Sequence, residues 1–198
     1  MMIDKNTSIN SILSFFYANA IAFLLVFFAT FINGKPIPFI GNMVWLQVGV
    51  ILLMYLLLTS RVFIGCLLGV QLSASLLWGW ELISFSNAVI ILISSISPLI
   101  SISIMKFFKL SNFFEKDKLV FQHLIFLAIF TALCNTLLKF IAYSYFESDP
   151  YDLSFSALLF IERYFIGDVL GTLTVLLIAA YVFVPSIRYF FPKIVPAE

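Results

Sequence analysis

Six stretches of about 20 apolar residues, parted by short polar or proline-containing breaks, limit what this chain can fold into. They run about 10–32, 39–58, 61–80, 83–105, 119–145 and 158–187. A helix of that length crosses the roughly 30 Å hydrocarbon core of a bilayer, and it satisfies its own backbone where lipid cannot. Hydrophobic residues make up 63% of the 198 and charged residues only 11%, whereas a soluble domain carries about 25% charged residues. The expected fold is all-α: one polytopic integral membrane bundle of about six transmembrane helices over 1–198, with the lipid bilayer as its solvent. A net charge of +1 argues against a nucleic-acid partner.

The first stretch is too long for the apolar region of a signal peptide, and Asn33-Gly34-Lys35-Pro36 offers no small-residue cleavage site. It reads as a retained span. Basic residues then set the orientation. Lys5, Arg61, the cluster Lys106, Lys109, Lys116 and Lys118, and Arg188 with Lys193 all fall on one side of a six-span topology. The opposite side carries Lys35 and the acidic loop 147–152. The basic side, with both termini, is expected to be the cytoplasm of a bacterial-type inner membrane. The loop Lys106–Lys118 interleaves Phe107, Phe108, Phe113 and Phe114 with its lysines. It reads either as an ordinary positive-inside loop with interfacial aromatics or as a contact for a cytoplasmic partner or anionic lipid.

Polar residues inside such spans are costly and therefore informative. Asp168 lies in the sixth span, and no further charge follows until Arg188. A carboxylate at that depth costs about 2.5 kcal/mol or more on insertion scales. Tyr164, Asp168 and Thr172 recur every four residues, as do Thr131, Asn135, Lys139 and Tyr143 in the fifth span. That spacing puts each set on one helix face. The candidate ligand-binding residues are Asp168, Lys139, Asn135, Tyr164, Arg163 and Glu162, with Lys139 and Asp168 in the outer half of the bilayer. Lys139 and Asp168 are expected to pair or to share a wet pocket, rimmed by Glu162, Arg163 and Glu81. The alternatives are a snorkelling Lys139 and an Asp168 that only ties helices together.

Small residues mark helix contacts. Gly65, Gly69 and Ser73 in the third span, and Gly167 and Gly171 in the sixth, repeat at intervals of four and let backbones approach. The fourth span carries Ser94, Ser95, Ser97, Ser101 and Ser103 around Pro98. Proline there frees a backbone carbonyl that neighbouring groups must satisfy. Asn19, Gln47, Gln71 and Asn87 read as helix bridges. Cys66 and Cys134 sit in apolar segments without ligand spacing, and His123 has no Cys or acid partner. No haem or metal site and no cofactor is therefore expected. No phosphate loop, nucleophile elbow or carboxylate pair points to an enzyme.

Two segments together resemble a known family. Gln47-Val48-Gly49 through Arg61-Val62-Phe63-Ile64-Gly65-Cys66-Leu67-Leu68-Gly69 is similar to the early helices of membrane-associated sensor domains of the first MASE type. Arg163-Tyr164-Phe165-Ile166-Gly167-Asp168-Val169-Leu170-Gly171-Thr172-Leu173 resembles their closing Gly-Asp-x-x-Gly helix. The likeness covers about half of the chain, between Val44 and about Ala180. It implies a bacterial multi-span input module, with Gly167, Asp168 and Gly171 at its characteristic positions. The chain departs from the family in having fewer spans, in Gln47 where a proline is usual, and in ending at Glu198 without an output domain. A sensor built this way is expected to bind an unknown small molecule and to act through a separate cytoplasmic signalling or coupling protein.

Two other readings stay open. One is the substrate-binding subunit of a vitamin or small-metabolite transporter, with Ala18 and Ala22 of the first span contacting a coupling subunit. The other is a structural subunit of a membrane complex in which Asp168 merely pairs between helices.

Overall fold

Long apolar runs leave the backbone one economical way to pair its polar groups, along the helix axis, and the computed structural model is all-helical accordingly. It describes residues 5–34, 42–79, 84–110, 121–146 and 157–183. The elements are α1 (Lys5–Asn33), α2 (Leu46–Leu58), a 3-10 turn (Thr59–Val62), α3 (Phe63–Trp78), α4 (Phe85–Phe107), α5 (Phe121–Phe146) and α6 (Ala157–Ile178). A π-helical turn, Ala179–Phe183, ends α6. Among the described residues five continuous helical stretches are long and apolar enough to cross a membrane: Ser11–Asn33, Leu46–Leu77, Phe85–Phe107, Gln122–Phe146 and Leu158–Val182.

The second of these stretches is a hairpin, so the helical segments number six. Thr30 of α1 lies beside Gln47, whereas Asn19, lower on α1, bonds Arg61 and Gly65. Gly69 then packs on Phe23 and Val26. The chain therefore runs down α1 along α2, reverses, and climbs back along α3. The reversal falls at Thr59, whose φ of 64° is left-handed and rare for a β-branched residue.

The start of the second span is a correction. Helix was expected from 39, but α2 begins at Leu46, and 42–45 enter in non-helical form. Two partners hold this entry. The Asn33 side chain donates to Val44 O (2.8 Å) and accepts from Leu46 N–H (2.8 Å). Trp45 N–H donates to Gly167 O at 2.9 Å. Irregular backbone is tolerated at membrane depth only where such partners exist.

α1 thus clamps both ends of α2. Asn33 and Asn19 stand roughly 21 Å apart along α1, and the 13 residues of α2 rise about 20 Å. Asn33→Ala removes a capping oxygen and leaves Val44 O short of a donor. The expected loss is about 1–2 kcal/mol, read as a lower unfolding temperature in detergent; an unchanged temperature would mean the clamp is idle.

Helix directions alternate. α6 runs with α2, because Gly167 meets Asn42, Gly171 meets Trp45, and Gly49 faces Thr172 and Val175. α5 opposes α6, and the start of α4 meets the end of α5 through Phe85 and Phe146 (5.8 Å). Arg61 and Lys106 therefore end at the same face of the bundle, as the six-span topology requires. The core gathers Val26, Val48, Ile51, Leu52, Val62, Cys66, Val70, Ile91, Met105 and Leu127 from α1–α5.

The small-residue motifs have two different partners. Gly65 and Gly69 do bring α3 against α1, on Asn19 and Phe23. Gly167 and Gly171 receive the non-helical backbone at Asn42 and Trp45, and the same turn of α6 packs on Gly49 of α2. On α4, Ser94, Ser95, Ser97 and Ser101 are buried and Ser103 is exposed. Their hydroxyls return to carbonyls of their own helix four residues back. From α2, Tyr55 Oη–H bonds Ser95 O at 2.8 Å, one residue past the Ser94 carbonyl that Pro98 leaves without its helical donor.

Candidate functional site

α5 and α6 meet in an antiparallel seam whose register can be followed turn by turn. Tyr143 packs edge-on against Phe160 (5.6 Å between centroids). One turn along, the Lys139 ammonium lies over the Tyr164 ring, 5.6 Å from its centroid. One turn further, Asn135 Nδ2 donates to Asp168 Oδ2 at 2.6 Å. Four residues on along each helix put Thr131 and Thr172 at the next layer. The period-four stripes read from the sequence thus face each other. Three aromatic rings close the upper end, where Phe160 stacks on Tyr164 at 4.2 Å and Tyr143 sits 6.5 Å from Tyr164.

The seam is buried and mid-helix. Asn135 is 0% exposed, Asp168 1% and Lys139 5%. Asp168 sits at the midpoint of α6 and Asn135 near that of α5. Lys139 does not snorkel, since its side chain is buried. Nor does it form the anticipated direct pair. Asn135 occupies Asp168, and Lys139 stays one turn away over an aromatic face, a placement worth about 1–2 kcal/mol to a desolvated cation.

The seam is under-satisfied. Asp168 Oδ1, Asn135 Oδ1 and the hydroxyls of Thr131, Thr136 and Thr172 are buried without a hydrogen-bond partner. Such orphans each cost about 1–3 kcal/mol and are rare in folded proteins. Tyr164 and Arg163 are half-buried on α6, while Glu162 is exposed and faces away from the charged layers. Glu81, expected at the rim, lies outside the described residues, as do 111–120 of the basic loop and the acidic loop 147–152. Thr136 and Phe160 were not singled out in the sequence. Phe160 is indistinguishable there from the other apolar residues of its span, and Thr136 breaks the period-four stripe.

Ala22 is fully buried, and Ala18 is partly buried against the core. Cys66 and Cys134 are free thiols. Among the described residues no group of three or more His, Cys, Asp and Glu side chains is poised for a metal ion. Compared with protein-family models, characterised proteins and solved structures, the chain finds no match.

Proposed function

We propose that this chain is a multi-pass binding module of a bacterial-type inner membrane, with both termini cytoplasmic, and that it acts as a sensor through a separate protein. The observation carrying the reading is the set of buried, unpartnered polar atoms near the middle of α5 and α6. A seam meant only to join helices would do better with partnered or apolar groups. The resemblance of 163–173 to the closing helix of MASE-type sensor domains supports the same reading. Binding rather than catalysis fits a seam with an amide, a carboxylate, an ammonium and hydroxyls but no activated nucleophile.

Occupancy has a physical route out of the seam. Thr172 and Gly171 of α6 pack on Gly49 and Trp45, at the start of α2. A shift of α6 would press on α2 and, through the hairpin, on the Arg61 end of the bundle. The basic face there, with Lys106, is the natural contact for a cytoplasmic partner. This reading is tested by native mass spectrometry of the wild type and an Asp168→Asn variant, purified gently from their own membrane. A ligand retained by the wild type and lost in the variant is the expected result. A stable partner in both samples with no ligand in either would make Asp168 a packing residue of a structural subunit.

A further inference from the structure

We infer that the layers Asn135/Asp168 and Thr131/Thr172 form a site for a small, hard cation of single charge, of the sodium class. This inference rests on the reading that the α5–α6 seam binds a ligand. The donors decide the class. The four residues of these layers leave four buried oxygens without a partner: one carboxylate, one amide carbonyl and two hydroxyls. Oxygen-only sets suit hard cations, while the soft or borderline metals take sulfur and imidazole. A single carboxylate balances a single positive charge. The expectation of no metal rested on His and Cys spacing, which says nothing about an alkali ion.

The orientations agree with this assignment. Asn135 turns its amide nitrogen to Asp168 Oδ2, which leaves its own oxygen and Asp168 Oδ1 both unengaged. Other hydroxyls of the bundle behave differently. Thr30, Ser73, Ser75, Ser94, Ser95, Ser97, Ser101 and Thr174 all donate to the carbonyl four residues back. Thr131, Thr136 and Thr172 do not, and all three are fully buried. Thr131 and Thr172 fall one turn on from Asn135 and Asp168 along α5 and α6. The ammonium of Lys139, held over Tyr164, is the built-in competitor for the same negative charge.

The test is thermal unfolding of the purified full chain in detergent at constant ionic strength, in sodium, potassium or choline chloride. The unfolding temperature is expected to rise by about 5–10 °C in sodium or potassium at a hundredfold excess over Kd, and not in choline. Thr131→Val and Thr172→Val keep side-chain shape and remove one oxygen each; each should weaken the response about tenfold. Asp168→Asn should abolish it. Lys139→Met should strengthen it, with the variant least stable in choline and rescued by sodium.

Equal unfolding temperatures of the wild type in all three salts would overturn the cation. So would a sodium response that survives undiminished in Thr131→Val, Thr172→Val and Asp168→Asn, because sodium would then act elsewhere. An organic molecule retained in native spectra without any salt response would overturn the cation and leave the binding module standing. Neither a ligand nor a salt response would overturn both.

Discussion

Gly171→Ala is expected to abolish folding of the bundle or to lower its stability by about 3 kcal/mol or more, the upper range for overpacking. The added methyl would land on the backbone of Trp45, at its carbonyl oxygen, not on a side chain that could turn aside. That backbone cannot retreat. Trp45 N–H is bonded to Gly167 O, and Asn33 holds Val44 and Leu46 on either side. Gly167→Ala would meet Asn42 O in the same way. Leu170→Ala, at an exposed position of the same helix, should stay within about 1 kcal/mol of wild type. Folded yield and unfolding temperature of the three variants measure the contrast, and a Gly171→Ala protein that unfolds like wild type would refute the close contact.

Asp168→Leu is expected to cost about 3 kcal/mol or more, for a reason unrelated to packing volume. It leaves the buried Lys139 ammonium without the opposite charge one turn away, and removing one of two buried opposite charges is far more costly than removing both. Asp168→Leu combined with Lys139→Met should therefore recover most of the loss. The unfolding temperatures of wild type, both single variants and the double variant form the cycle that separates the terms. If the double variant were as unstable as the sum of the singles, the two charges would not be coupled and the seam would be two independent sites.

Much of the architecture was legible because lipid imposes a simple rule. The expected spans 61–80, 83–105 and 119–145 correspond to α3, α4 and α5 with ends shifted by only a few residues, because in hydrocarbon an apolar run has helix as its economical solution. The rule failed at 42–45, as apolar as any helix start. Asn33 and the Gly167–Gly171 face decide its conformation, one from the preceding helix and one more than a hundred residues on. Gly167 and Gly171 read as a helix-packing motif, and their face meets both Gly49 of α2 and the non-helical 42–45 entry, since spacing reports a groove but not all that fills it.

The site divides the same way. The two stripes, Thr131-Asn135-Lys139-Tyr143 and Tyr164-Asp168-Thr172, were visible because a period of four marks one face of a helix whatever lies opposite. Sequence by itself determined a lipid-solvated helical bundle with one basic end and with a carboxylate and an ammonium too deep for lipid, because hydropathy, charge and helical period are local properties. Only the tertiary structure decided that α2 and α3 form a hairpin clamped by two asparagines, that Asn135 rather than Lys139 donates to the carboxylate, and that one oxygen each of Asp168, Asn135, Thr131 and Thr172 is buried without a donor. Those outcomes depend on the register in which α5 meets α6 and on the close approach at Gly167 and Gly171. Register is set by the sum of all contacts along two helices, which no short stretch of sequence contains.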